Sequence, residues 1–132
     1  MKPLIIGNWK MQLGIEESKE LATKLRDLVS DESEVVVCPS TSALTVVAGI
    51  LRDSPIALGA QNAFWEERGA FTGEESSLTL KEAGCQYVII GHSERRIYLG
   101  ETDEMVARKV QAAVNANLKV VLCIGENLDQ RK

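Results

Sequence analysis

The segment that organises this sequence is Tyr87-Val88-Ile89-Ile90-Gly91-His92-Ser93-Glu94-Arg95-Arg96. Its first four residues are apolar, and the only histidine of the chain follows after one glycine. A buried strand that ends at a reactive side chain is typical of α/β enzymes, which place their chemistry at the carboxyl end of a sheet. His92 is therefore a candidate catalytic residue, and the alternative is a packed or surface histidine with no chemical role.

Outward from this segment, short apolar runs alternate with amphipathic stretches. Strands are predicted at 4–7, 35–38, 56–60, 87–91 and 120–124, and helices at 16–29, 40–51, 77–83 and 102–117. Helix caps are predicted at 40–42 and at Thr102, and Gly84 is predicted to follow the end of a helix. Because each helix supplies a crossover, the strands are expected to pair in parallel, with helices covering their apolar faces.

The composition limits the class of protein. The chain has 132 residues, with 45% hydrophobic and 26% charged residues, which predicts one globular domain over 1–132. A net charge of −4 argues against non-specific nucleic-acid binding. No apolar run approaches the ~20 residues that span a membrane, and no signal peptide is apparent. Three separated cysteines indicate free thiols in a reducing cytoplasm, without a disulfide or a metal site.

Polar side chains follow several of the predicted strands. Asn8 and Lys10 share one side of an extended segment, and Trp9 points the other way. An amide and an ammonium group aimed into one site suit a phosphate or an oxyanion, and the alternative is a solvated lysine in a loop. The polar residues expected to meet at the same rim are Asn8, Lys10, Gln61, Asn62, His92, Glu94 and Glu126.

Two other motifs are weak. His92-x-Glu94 is similar to part of a zinc-deaminase signature, but no Pro-Cys-x-x-Cys follows it. Lys10 could form a Schiff base, but nothing in its surroundings marks it as desolvated.

Five motifs occur along the chain: Gly7-Asn8-Trp9-Lys10-Met11, Ala60-Gln61-Asn62, Gly69-Ala70-Phe71-Thr72-Gly73-Glu74, Gly91-His92-Ser93-Glu94-Arg95-Arg96 and Leu122-Cys123-Ile124-Gly125-Glu126. Together, in this order and at this spacing, they resemble triosephosphate isomerase. The resemblance runs from Lys2 to Lys132 and covers the amino-terminal half of that family. It implies a partial TIM barrel, with about four βα units plus a fifth strand of the family's eight. It also implies interconversion of dihydroxyacetone phosphate and glyceraldehyde 3-phosphate, without a cofactor.

The resemblance also implies roles for individual residues. Lys10 would bind the substrate phosphate, Asn8 would hydrogen-bond the substrate, and Glu94 would hold Lys10 in place. His92 would be the neutral electrophile that polarises the carbonyl; the family's glutamate–histidine pair is the known example of this pKa tuning. Thr72, in the dimer loop, would reach the neighbouring subunit's site, with Glu74 and Arg95 supporting that loop.

The family's catalytic glutamate, lid and phosphate-binding loops have no counterpart in these 132 residues. We therefore expect the chain alone to be inactive or nearly so, because carbon deprotonation needs a positioned base. Open sheet edges and an exposed apolar inner face predict a homodimer or larger assembly, with the loop of Phe64, Trp65, Phe71 and Thr72 as a second contact. The alternative function is a non-catalytic, self-associating half-barrel that binds phosphate or sulfate.

Overall fold

The computed structural model describes residues 1–132 and is built on one five-stranded parallel sheet in the order β1-β2-β3-β4-β5. The strands are β1 (Leu4–Asn8), β2 (Glu34–Cys38), β3 (Ile56–Ala60), β4 (Cys85–Ile90) and β5 (Lys119–Leu122). The helices are α1 (Ile15–Leu28), α2 (Leu44–Leu51), α3 (Ser77–Glu82), α4 (Ser93–Tyr98) and α5 (Asp103–Asn115), and a 3₁₀ turn at Thr41–Ala43 precedes α2. The parallel sheet of strand–helix units predicted from the sequence is confirmed.

Each predicted strand and helix is present, and most boundaries agree within two residues. The cap of α5 is confirmed, because the Thr102 hydroxyl oxygen accepts from the Met105 amide at 3.3 Å. The predicted side-chain cap before α2 is wrong. The Ser40 side chain accepts from no amide, and the N-cap position of α2 is Ala43, which has no side-chain acceptor. A 3₁₀ turn replaces that cap and satisfies the Ala43 amide through the Ser40 carbonyl at 3.0 Å.

One helix, α4, was not predicted. It is only six residues long and follows β4 after a two-residue turn. Its sequence, Ser93-Glu94-Arg95-Arg96-Ile97-Tyr98, contains no buried residue. A helix without a buried stripe leaves no apolar periodicity in the sequence.

Two apolar clusters lie on opposite faces of the sheet. The larger one joins alternate strand residues, such as Val37, Leu58 and Val88, to the helices on the outer face. The smaller one lies on the concave face and contains Val36, Cys38, Ala57, Tyr87 and Ile89. The alternation of side chains along each strand produces this division.

The concave face is less exposed than expected. Its central side chains are buried, from 0% exposed at Val36 to 9% at Ala57, because the curled strands shield one another. Exposure concentrates instead at the two edge strands, with Leu4 at 48%, Ile5 at 54% and Leu122 at 47%. The prediction of helix-covered strands therefore holds for the middle of the sheet and is wrong for β1, whose outward Ile5 is uncovered.

None of the helices combines the length and the apolar character that a membrane crossing would require.

Candidate active site

His92 lies at the point where β4 turns into α4. Gly91 has φ of +75°, and a Cβ there would lie 3.2 Å from a Val106 methyl group, so this turn requires glycine. The turn places His92 at the amino terminus of α4, where its Nδ1 accepts from the Glu94 amide at 3.2 Å. Because Nδ1 is the acceptor, a neutral imidazole carries its proton on Nε2. The ring is 25% exposed and keeps Nε2–H as its available donor.

Lys10 is held by its backbone just beyond β1. Its φ is +54°, and its amide donates to the Asn8 side-chain oxygen at 3.0 Å. The Gln61 amide nitrogen donates to the Lys10 carbonyl at 2.8 Å and to the Cys38 carbonyl at 2.9 Å. Trp9, between Asn8 and Lys10, packs against the outer core. The ends of three neighbouring strands therefore fix the position of Lys10.

The Lys10 ammonium group pairs with Glu94. Lys10 Nζ lies 2.7 Å from Glu94 Oε1, and both side chains are about half exposed, at 47% and 46%. The hydrogen bond from Lys10 lowers the pKa of the Glu94 carboxyl below its usual value. Glu94 Oε2 lies 3.6 Å from His92 Nδ1, which already accepts from the Glu94 amide, so the carboxylate is bonded to Lys10 and is only a near neighbour of the imidazole.

These side chains line one cavity of about 530 Å³. Of the residues predicted for the site, the cavity brings together Asn8, Lys10, Gln61, Asn62, Glu74, His92, Glu94 and Arg95. A lysine, three side-chain amides and an imidazole that donates from Nε2 can bind an anion and polarise a carbonyl oxygen. The residues that bear chemistry therefore converge as parallel-strand geometry requires.

Glu126 does not belong to this group, contrary to the prediction. It lies in a separate shallow depression and pairs with Arg131, with 3.7 Å between Oε1 and Nε. The physical reason is that β5 ends at Leu122, so Glu126 lies four residues beyond the strand. At that distance the alternation of the strand no longer directs the side chain.

Thr72 occupies the tip of the loop between β3 and α3. A β-turn from Phe71 to Glu74 is closed by a 3.0 Å backbone hydrogen bond, and Gly73 supplies the required positive φ of +90°. The Phe64 and Phe71 rings of this loop contact each other, with centroids 4.7 Å apart, and Phe71 remains 41% exposed. Thr72 itself is exposed and does not line the cavity.

Arg95 bonds to a residue that the sequence analysis did not identify. Its Nε donates to Glu101 at 2.8 Å, and the same carboxylate oxygen accepts from Lys109 Nζ at 2.8 Å. Glu101 and Lys109 are buried, at 5% and 2% exposed. Spacing could have identified Lys109, because it lies between Val106 and Ala113 on the buried stripe of α5, where a charge needs a partner.

Burial and hydrogen bonding oppose each other at Glu101. Burial raises the pKa of its carboxyl, but hydrogen bonds from Lys109 and Arg95 outweigh burial, and the pKa lies below its usual value. Glu101 is therefore ionised at neutral pH and attracts both cations.

The fold and the cavity define the class of protein. A parallel sheet that curls so that the loops after β1, β3 and β4 meet in one cavity is part of a (β/α) barrel with its site at the carboxyl ends of the strands. The family model for triosephosphate isomerase matches residues 3–132, and the chain belongs to that family.

Individual relatives agree with this membership. The chain is 52% identical to the triosephosphate isomerase of Caldanaerobacter subterraneus subsp. tengcongensis and 48% identical to that of Moorella thermoacetica, over 99% of its length in both cases. It also matches the crystal structure of triosephosphate isomerase from Bartonella henselae with a TM-score of 0.92 and 41% identity, covering 99% of this chain. The chain spans about half the length of these relatives, 53% of the two sequences and 55% of the crystallised chain.

Proposed function

We propose that this chain carries the anion-binding and electrophilic part of a triosephosphate isomerase site. Asn8, Lys10 and His92 would bind a triose phosphate, the substrate class of the reaction that interconverts dihydroxyacetone phosphate and glyceraldehyde 3-phosphate. The observation that carries the proposal is one cavity that is lined both by the Lys10 ammonium, which pairs with Glu94 at 2.7 Å, and by the His92 imidazole.

The chemistry follows from the geometry. Lys10 supplies a positive charge for the phosphate and for the negative charge that develops on the substrate oxygens. His92 Nε2–H donates to the carbonyl oxygen and favours the enediol form, because Nδ1 already accepts from the Glu94 amide. Glu94 holds Lys10 at 2.7 Å, so the ammonium group is oriented before substrate arrives.

We further propose that these 132 residues alone bind the substrate but turn it over slowly or not at all. Removing a carbon-bound proton requires a base within hydrogen-bond reach of that carbon. The Glu94 carboxylate is occupied by Lys10, and Glu126 lies outside the cavity. The electrophile is therefore in place, and a carboxylate base has to come from elsewhere.

Phosphate binding tests the proposal directly. We expect inorganic phosphate to shift the amide resonances of Lys10 and His92 in a heteronuclear NMR titration. Lys10→Met should weaken that binding by about tenfold, because a charge-assisted contact is lost. The control is Lys24→Met, which removes an exposed lysine on α1, away from the cavity. Equal affinity in both variants would contradict the assignment of Lys10.

A coupled assay with glyceraldehyde 3-phosphate tests the second part. We expect turnover at or near background for the chain alone. Turnover that His92→Ala abolishes would show that a complete site is present and would overturn this proposal.

A second candidate function is a non-catalytic, self-associating half-barrel. The uncovered apolar side chains of the edge strands favour it, together with Ile97 and Tyr98 on α4, which are 72% and 78% exposed. In an assembly of copies, the loop tip at Thr72, with Glu74 and Arg95, would form a contact between subunits. The free thiols Cys38, Cys85 and Cys123 support a cytoplasmic location for either function.

A further inference from the structure

Lys10 belongs to a closed circuit of contacts that extends well beyond the cavity. On one side, Gln61 donates to the Lys10 carbonyl at 2.8 Å, and on the other, the Lys10 ammonium donates to Glu94 at 2.7 Å. Gln61 is followed by Asn62 at the end of β3, and Glu94 is followed by Arg95 on α4.

Two buried charges close this circuit. Lys109 on α5 donates to the Asn62 side-chain oxygen at 2.9 Å and to Glu101 Oε2 at 2.8 Å. Glu101 Oε2 also accepts from Arg95 at 2.8 Å. This chain of contacts therefore starts at Lys10, passes through the residues after β3, then through α5 and α4, and ends at Lys10 again.

Stability alone does not explain the Lys109–Glu101 pair. A buried ion pair contributes little or negative net stability relative to apolar side chains of the same volume, because both charges lose their hydration. Glu101 Oε1 is buried without a hydrogen-bond partner, which adds to that cost. What the pair provides is a fixed separation between the end of β3 and α4, the two segments that hold Lys10.

We propose that Lys109 and Glu101 are positioning residues, which set the separation of Gln61 and Glu94 and thereby hold the Lys10 ammonium in its place for an anion. Neither side chain touches the anion in this arrangement. The inference deepens the proposed function, since it concerns the same anion site.

The test replaces the pair without leaving a buried charge. The double variant Glu101→Leu/Lys109→Met keeps the volume close to the original and removes both charges, so we expect it to fold. The carboxyl group of Glu94, followed by carbon-detected NMR against pH, reports on the Lys10–Glu94 contact without any ligand. We expect Glu94 to titrate nearer its ordinary range in the double variant, and inorganic phosphate to bind about fivefold more weakly, the size of one lost hydrogen bond.

Two further variants separate positioning from general packing. Glu101→Gln keeps one oxygen that accepts from Arg95 and Lys109 but leaves Lys109 without a counter-charge. It should therefore lower stability, while the Glu94 titration and phosphate binding of the folded protein are retained. Asp103→Asn is the matched control, because Asp103 also joins α5 to α4 by a 2.6 Å contact with Arg96 but lies outside the circuit. Asp103→Asn should change neither the titration of Glu94 nor the affinity for inorganic phosphate.

A folded double variant with an unchanged Glu94 titration would overturn the inference. If the double variant does not fold, Asn62→Ala breaks the circuit at the half-buried end of β3 and must shift Glu94 in the same direction. Absence of phosphate binding in the unmodified chain would refute the proposed function only, since the Glu94 titration is measured without phosphate.

Discussion

At the scale of single residues, the side chains that bear chemistry are stabilised by backbone groups more than by one another. Gln61 uses one amide nitrogen to bind the carbonyls of Lys10 and Cys38, and His92 accepts from the amide of Glu94. Such contacts connect consecutive loops at the rim of the sheet. A substitution at Gln61 would therefore displace Lys10 although Gln61 carries no charge.

The three cysteines differ in how far burial suppresses their reactivity. Burial raises the pKa of both the Cys38 and the Cys85 thiol to about 12, and also raises that of Cys123, which is only partly buried. Because the thiolate is the reacting form, we expect Cys123 to react first with iodoacetamide at pH 8. Mass spectrometry of timed digests identifies the order of alkylation.

The same experiment in 6 M urea is the control, since unfolding should equalise the three rates. Alkylation of Cys38 before Cys123 in the folded chain would show that the inner face of the sheet opens to solvent. It would contradict the burial described for that face.

At the scale of elements, apolar runs were sufficient to predict the strands, because buried parallel strands have few polar residues. Strand β3 at Ile56–Ala60 agrees with its prediction at both ends. The helices were predicted less completely. In the sequence of α5, Val106, Val110 and Val114 recur at a spacing of four residues, whereas the buried stripe runs through Val106, Lys109 and Ala113, and Val114 is 53% exposed.

The candidate site was predicted for the side chains that directly follow strands, because strand geometry places such residues at one rim. Asn8, Lys10 and His92 agree with this rule. Glu101 and Lys109 do not follow a strand, so this rule does not identify them. The spacing of the buried stripe on α5 indicates Lys109, but no period in the sequence identifies its partner Glu101, eight residues earlier in the turn after α4.

The cap of α5 allows a test at this scale. Thr102 is exposed and accepts from the Met105 amide, so Thr102→Ala should lower the free energy of unfolding by about 1 kcal/mol. Urea denaturation followed by circular dichroism measures the change. The control is Thr45→Ala, an exposed position inside α2, which should be neutral or slightly stabilising because alanine has the higher helix propensity.

If Thr102→Ala leaves the urea midpoint of unfolding unchanged, packing of the buried stripe, and not the cap, determines where α5 begins.

At the scale of the whole molecule, the apolar surface that remains exposed is not uniform. One set lies at the open edges of the sheet, at Leu4, Ile5 and Leu122, and the other on α4, at Ile97 and Tyr98. Unpaired edge strands present backbone donors and acceptors to any neighbouring chain. The two sets lie on different parts of the fold and could each bind a second copy.

We expect copies of this chain to associate through the open edges, at micromolar concentration, into a dimer or a larger assembly. Ile5→Lys adds a charge to the outward face of β1, where the side chain is 54% exposed, and should shift the assembly toward monomer because charged edges oppose strand pairing. Tyr98→Lys introduces the same charge on α4, where the side chain is 78% exposed, and serves as the matched variant. Light scattering coupled to size exclusion measures the mass of all three proteins. Dissociation by Tyr98→Lys alone would assign the interface to α4 and the neighbouring loop, and a monomeric mass for the unmodified chain would contradict self-association by either surface.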